Sequence, residues 1–218
     1  MRNAGVLLAG GKGSRLGPGS PKALRPFAGS TLLLRAAALL APRVEWLWVA
    51  VPPSFPLPLG QWDRVDDLAY EAGPLAGLVP GLERAAAAGA EVALVLAVDL
   101  PDIRSVHFDR LVAALSPVDG PDGTRMAVPP AAVLPRTPRG IEPLVGAYRP
   151  VYCAPVLRAA WNRGERAVHR AISEIGGRLT LLDATKEDVW PGGAATLESL
   201  NTTEDWVRAE ARLRGPRL

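Results

Sequence analysis

Gly5-Val6-Leu7-Leu8-Ala9-Gly10-Gly11-Lys12-Gly13-Ser14-Arg15-Leu16-Gly17, followed five residues on by Lys22, is the stretch on which the reading of this chain turns. Val6 to Ala9 is a short apolar run of the kind that forms a buried strand. It opens into four glycines within eight residues, Gly10, Gly11, Gly13 and Gly17, with Lys12 and Arg15 among them. Residues without a Cβ let backbone N–H groups close around a bulky anion, and a phosphate chain is the usual guest. Lys12, Arg15 and Lys22 add charge that backbone dipoles alone do not supply.

Two widespread phosphate loops are excluded. A Walker loop needs GxxxxGK[ST], and no such string occurs. The dinucleotide fingerprint needs GxGxxG, and after Gly11-Lys12-Gly13 the sixth position is Leu16.

Downstream of the loop, Ser30 or Thr31 is placed to cap a helix running to Leu40, with Leu32, Leu33, Ala36, Leu39 and Leu40 inward and Pro42 as its stop. Glu45–Val51 reads as a second strand. Residues 52–60 carry four prolines and exclude a regular element. Arg64-Val65-Asp66 suggests a short third strand. Gly73-Pro74-Leu75-Ala76-Gly77 opens a helix reaching Gly89, in which Pro80 predicts a kink or a later start. Val92–Val98 is continuously apolar, as a central parallel strand buried on both faces should be, and it ends at Asp99-Leu100-Pro101.

Further on, His107–Leu115 reads as a helix and Met126–Val128 as a strand. Residues 129–140 read as a proline- and arginine-rich loop, and Ile141–Tyr148 as a strand. Val151–Trp161 and Ala167–Ile175 read as helices, and Arg178–Leu182 as a strand. Thr202 with Asp205 forms a capping-box pattern opening the last helix. Strands alternating with helices predict a three-layer α/β/α, Rossmann-like domain with a mainly parallel sheet. It is read as one domain over residues 1–218, with a nucleotide-binding half (1–115) and an acceptor-binding half (116–218).

The composition is ordinary for a soluble globular protein: 218 residues, 48% hydrophobic and 22% charged, with one cysteine, Cys153, and so no internal disulfide. No apolar run approaches the roughly 20 residues of a membrane span, and the first strand follows Met1-Arg2-Asn3 directly. A cytoplasmic location without membrane association is expected. Net charge is +3, and basic residues are scattered except for Arg208, Arg212, Arg214 and Arg217 near the C-terminus. Without an aromatic-basic stripe, nucleic acid is not expected as a partner. His107 and His169 read as surface residues and Cys153 as core.

In open parallel sheets the ligand sits beyond the carboxyl ends of the strands. The glycine loop, Asp66 and Asp99 converge there. A carboxylate at the mouth of an apolar strand needs a cation or hydrogen bonds, and Mg²⁺ takes one or two carboxylates plus substrate phosphates. Asp99 is the metal candidate.

LAGGKGSRLG with Lys22 resembles the signature loop of nucleotidyltransferases that build activated sugars, alcohols and pterins. Glu71-Ala72-Gly73-Pro74-Leu75-Ala76-Gly77-Leu78, Ala97-Val98-Asp99-Leu100-Pro101, Glu142-Pro143-Leu144-Val145-Gly146-Ala147-Tyr148 and Leu200-Asn201-Thr202-Thr203-Glu204-Asp205 follow in order. Together these resemble the molybdenum cofactor guanylyltransferases, which join GMP to a molybdopterin phosphate. The resemblance implies nucleotide contacts at Leu8, Ala9, Gly10, Gly11 and Lys22, a nucleoside contact at Asp66, and Mg²⁺ on Asp99. Charge at the α-phosphorus and the departing pyrophosphate assigns catalytic roles to Arg15, Lys22 and Asp99. An acceptor phosphate needs cations of its own, for which Arg136 and Arg139 of the 129–140 loop are candidates, and Arg166, in Gly164-Glu165-Arg166, resembles a basic element of the family's acceptor half. The resemblance further implies GTP and a molybdopterin-type phosphorylated acceptor as substrates, and contacts with other proteins of cofactor biosynthesis.

Two departures keep a second enzyme reading open. The family has Asp directly before the lysine where this chain has Ser20-Pro21, as in sugar- and alcohol-phosphate cytidylyltransferases. The family's guanine-reading asparagine after the second strand is replaced by Val51-Pro52-Pro53-Ser54. The alternatives are nucleotidyl transfer from CTP or another triphosphate to a different phosphorylated acceptor, and a catalytically silent nucleotide-binding relative. Intact Arg15, Lys22 and Asp99 argue against the silent one.

Overall fold

The computed structural model describes residues 1–11, 13, 16, 19–58, 62–116 and 128–214. It opens on β1 (Asn3–Leu8), which ends at the glycine loop. A two-residue hairpin follows, β2 (Pro26–Phe27) and β3 (Ser30–Thr31), and runs into α1 (Leu32–Leu40). The Thr31 hydroxyl caps α1 by accepting from the Leu34 N–H at 3.2 Å, as the sequence predicts. Next come β4 (Trp46–Val51), β5 (Asp63–Asp66), α2 (Leu75–Ala87), β6 (Val92–Ala97) and α3 (Ser105–Leu115). The remaining elements are β7 (Ala132–Thr137), β8 (Gly140–Ile141), β9 (Val145–Tyr148), α4 (Pro150–Asn162), α5 (Val168–Ser173), β10 (Leu179–Asp183) and α6 (Thr203–Arg214).

The main sheet runs β10-β7-β9-β6-β1-β4-β5, with β8 paired to β7. It is parallel except at β9, which is antiparallel to both neighbours, and at the β8 stub. Period-two alternation divides the core. Leu7, Val49, Leu94 and Leu96 face α1, α3 and α6, while Val6, Trp48, Ala93 and Val95 face α2, α4 and α5. All six residues of β6 are buried, which accounts for their unbroken apolar character. Gly81 lets α2 lie close on the sheet, because a Cβ there would come within 2.5 Å of the Val6 side chain.

Several sequence expectations are corrected. Pro80 does not delay α2, which starts at Leu75 and runs through it to Ala87. Its missing N–H deprives the Ala76 carbonyl of a helical donor, and the Leu68 N–H donates to that carbonyl instead, at 2.9 Å. Residues 129–140 are not one loop, since Ala132–Thr137 forms β7 with Val133 and Leu134 fully buried. Apolar burial outweighs the prolines there, and Pro135 keeps a ladder role by accepting from the Glu142 N–H at 3.0 Å. Ile141–Tyr148 is split by a turn at Glu142-Pro143-Leu144 into β8 and β9.

Of the strand expected at Met126–Val128, residues 126 and 127 lie outside the described residues and Val128 belongs to no strand. His107 is fully buried rather than on the surface. It stacks on Trp190 at 4.4 Å between centroids, with Nε2 2.8 Å from the Pro191 carbonyl and Nδ1 accepting from the Arg104 N–H. Burial lowers its pKa, which keeps the ring neutral between these two partners. Cys153 is core, as expected.

Candidate active site

The carboxyl ends of β1, β4 and β6 open into a cavity of about 1000 Å³, within the usual size range of small-molecule sites. Leu8, Ala9, Gly10 and Gly11 form its floor, and Lys22 and Asp99 stand together on one side. The sheet sets this floor directly: Leu8 is in register with Ala50 of β4 and Ala97 of β6. The ladder continues through Ala9 N–H to Ala50 O at 3.0 Å. Arg15, expected as catalytic, and Lys12 lie outside the described residues.

Lys22 opens a short 3-10 turn that follows Pro21, and the residue is 5% exposed. Its Nζ donates to Asp99 Oδ2 at 2.7 Å and to Asn201 Oδ1 at 3.2 Å. Gly13, at φ +62°, lies over the lysine stem, where a Cβ would come within 2.9 Å of Lys22 Cβ. Only glycine adopts that turn so close to a side chain without strain. Asn201 is a site residue that the sequence reading did not single out. The signal was present in Leu200–Asp205, where the Thr202 hydroxyl accepts from the Asp205 N–H and Asp205 Oδ2 accepts from the Asn201 and Thr202 N–H groups. The Leu200 N–H also donates to the Asp99 carbonyl at 3.0 Å. The far end of the chain therefore returns to the end of β6.

Asp66, expected to hold the nucleoside, is exposed and turns away, its Oδ1 2.5 Å from Arg64 Nε. The carboxylate in the cavity wall is its neighbour Asp67. Asp67 sits between two glycines: a Cβ on Gly77 would meet its Oδ1 at 2.7 Å, and one on Gly10 its Oδ2 at 2.9 Å. Asp67 Oδ1 is buried and has no hydrogen-bond partner among the described residues. Burial, and then the neighbouring Asp66 charge, push its pKa up to about 6, against the opposing pull of Arg64.

Arg64 also gives shape to the proline-rich wall, since it donates to the carbonyls of Phe55 and Pro52. Pro52, Ser54, Phe55 and Pro56 line the cavity there, and none of the described lining residues is an asparagine.

The Glu142-Pro143-Leu144 turn brings Leu144 to the cavity. It is fastened by the Ala97 N–H on the Leu144 carbonyl at 2.7 Å and by the buried Tyr148 hydroxyl on the Pro143 carbonyl at 2.5 Å. The three arginines expected at the acceptor site do not line the cavity. Arg136 is exposed and 3.8 Å from Asp183. Arg139 is exposed beside Glu142, whose pKa burial raises and Arg139 lowers. Arg166 lies 3.8 Å over the Trp161 ring, and its Nη1 donates to the Trp161 and Glu165 carbonyls. Arg166 is nevertheless the one whose backbone reaches the cavity wall: its carbonyl is 3.7 Å from the point where a Gly73 Cβ would stand.

The MobA-like NTP transferase domain matches residues 5–177. A molybdenum cofactor guanylyltransferase of Rhodobacter capsulatus is 33% identical over 218 residues, which is 98% of each chain. That of Cereibacter sphaeroides is 33% identical over 216 residues, again 98% of each. Among solved structures, molybdopterin-guanine dinucleotide biosynthesis protein A from Archaeoglobus fulgidus superposes with a TM-score of 0.72 at 18% identity, over 96% of this chain and 98% of that one. The 2-C-methyl-D-erythritol 4-phosphate cytidylyltransferase of Thermus thermophilus superposes with a TM-score of 0.63 at 20% identity, over 96% and 98%. At those identities the two structures share the α/β/α fold. On its sequence relatives and the match over most of its length, the chain belongs to the molybdenum cofactor guanylyltransferases, within the MobA-like NTP transferase family.

Proposed function

We propose that the protein transfers GMP from GTP to the phosphate of a molybdopterin-type acceptor and releases pyrophosphate, in the cytoplasm and with Mg²⁺. The observation that carries this reading is the cavity itself: the Gly10–Gly11 backbone and the buried Lys22 line it, and so does the Asp67 carboxylate, which lies against Gly10 and whose Oδ1 has no partner among the described residues. A nucleoside triphosphate is polyanionic at one end and rich in hydrogen-bond donors at the other, and a lining with both a cation and a carboxylate suits it. Guanine presents N1–H and N2–H₂ as base-edge donors and cytosine its N4 amino group. Asp67, whose Oδ1 is buried against Gly77, has its other oxygen to offer such a donor. The choice of guanine, in a wall without the family's asparagine, rests on the guanylyltransferase relatives.

The acceptor phosphate is already ionised at neutral pH, so no general base is needed. Its oxygen attacks the α-phosphorus, the bond to the bridging oxygen breaks, and pyrophosphate leaves with the electron pair. Lys22 and the Gly10–Gly11 backbone hold phosphate oxygens as charge moves toward the leaving group. Asp99, a hard oxygen donor lining the cavity beside the phosphate loop, fits Mg²⁺, which when bound supplies charge neutralisation at the phosphates. Pyrophosphate release with GTP, CTP, ATP and UTP offered separately beside a phosphorylated pterin tests the reading. Turnover confined to CTP would replace it with the cytidylyl alternative.

Asp67→Asn separates base recognition from stability. Ionised Asp67 disfavours the folded state, because its pKa of about 6 lies above the 3.8 of a free carboxyl. That penalty is complete above pH 6 and fades as pH falls toward 4. The variant is expected to melt a few degrees higher at pH 8, with the gain vanishing near pH 4, while GTP affinity falls roughly tenfold. An unchanged GTP affinity in calorimetry would remove Asp67 from the base site.

On the acceptor side, Arg166→Ala is expected to raise the acceptor KM several-fold, about 1–2 kcal/mol for one charge-assisted bond, with GTP affinity unchanged. A melting shift with no kinetic effect would leave Arg166 as packing on Trp161. Arg136 and Arg139 stand as further acceptor contacts of the same proposal.

A further inference from the structure

Taking from the proposed function that Asp99 is the carboxylate used by a divalent cation, we infer that the Lys22 ammonium, steadied by Asn201, holds that carboxylate in the free protein, so that the metal enters only together with a triphosphate that draws the lysine away. Lys22 Nζ is 2.7 Å from Asp99 Oδ2, and the two side chains are 6% and 26% exposed. The ion pair thus sits largely out of water, where its attraction is little screened. The protein offers a metal little else: among the described residues no group of three or more His, Cys, Asp or Glu gathers as a metal cluster. A single carboxylate already neutralised by an ammonium has almost no pull on a hydrated divalent cation, which gives up its water reluctantly. Triphosphate oxygens change that balance, because they attract the lysine and also supply the missing ligands.

Asn201 is the positioning residue of this arrangement. Its Oδ1 accepts from Lys22 at 3.2 Å, while its Nδ2 donates to Ser199 Oγ at 2.7 Å and its backbone N–H donates to Asp205 Oδ2 at 3.0 Å. The amide is therefore held from two sides, and the capping box at the start of α6 fixes where it stands. Without it, the ammonium would keep Asp99 as its one anchor among the described residues and would be freer to swing.

Mn²⁺ titration followed by electron paramagnetic resonance, on the full chain without nucleotide, tests the exchange. Lys22→Met is expected to bind Mn²⁺ at least about tenfold more tightly than the wild type, the effect of lifting one close positive charge. Asp99→Asn added to that variant should abolish the gain, and Asn201→Leu, which loosens the ammonium without removing it, should fall between. Equal Mn²⁺ affinity in wild type and Lys22→Met, whether tight or undetectable, overturns the inference. If Lys22→Met fails to fold, no increase in Asn201→Leu overturns it equally. A wild-type Mn²⁺ affinity that does not rise once GTP is bound also overturns it. A complete lack of GTP binding by calorimetry, alongside a Mn²⁺ gain in Lys22→Met, refutes the proposed function and leaves the ammonium's hold on Asp99 standing.

Discussion

Asp99→Asn is expected to lower turnover with GTP and Mg²⁺ by roughly 10²–10³-fold, the scale seen when one preorganised electrostatic partner of a transition state is lost. The amide keeps the shape of the carboxylate, and the Leu200 N–H still finds the residue 99 carbonyl. What disappears is the negative charge at the mouth of β6. That charge holds the Lys22 ammonium and, in the proposed mechanism, would hold the divalent cation, and loss of the first role carries a cost in stability. Lys22 is 5% exposed and would be left with Asn201 as its one remaining partner among the described residues. Melting temperature should therefore fall, since a buried cation without its counter-charge is unfavourable. The double variant Asp99→Asn with Lys22→Met removes both charges, and its melting temperature should recover while turnover stays lost. A wild-type rate in Asp99→Asn, measured as pyrophosphate release, would end the catalytic assignment.

Much of this arrangement is legible in the residues, for physical reasons. β1, β4 and β6 are short, mainly apolar runs, and burial of all six residues of β6 on both faces leaves little room for polar side chains there. The Thr202–Asp205 box is local chemistry, so it survives in the fold unchanged. Pairings distant in sequence are another matter. Asp66 and Asp67 are adjacent and chemically identical, and only the register of β5 against β4 decides which one faces the cavity. Asp66 pairs with Val51, and the next N–H, that of Asp67, bonds to the Val51 carbonyl at 3.0 Å, turning the second carboxylate inward. His107 reads as a surface residue because its partner, Trp190, arrives from more than eighty residues away. β7 is hidden by its prolines, although Ala131-Ala132-Val133-Leu134 is as apolar as other core strands. Asn201 is the most instructive omission. An asparagine before a helix cap reads as a turn residue, and only the return of the chain to β6 brings it to Lys22.

Lys22→Ala is expected to weaken GTP binding by roughly 10–100-fold while changing guanosine binding by no more than about twofold, since a charge-assisted bond to phosphate contributes about 1.5–3 kcal/mol. The asymmetry follows from position. Lys22 is held at Asp99, beyond the end of β6, whereas Asp67, the residue assigned to the base, follows β5 and packs on Gly77 of α2. A nucleoside without phosphates has nothing to offer the ammonium. Truncation to alanine also empties space under Gly13 and leaves Asp99 unpaired, so part of any loss could come from a loosened loop. Lys22→Met separates the two effects: it keeps the stem on which Gly13 rests and removes only the charge. If the lysine acts on phosphate, methionine and alanine should lose GTP affinity to a similar degree, and only alanine should lower the melting temperature by the cost of a cavity. Equal losses for GTP and guanosine in calorimetry would overturn this placement, because they would mean that Lys22 shapes the cavity as a whole rather than holding the triphosphate.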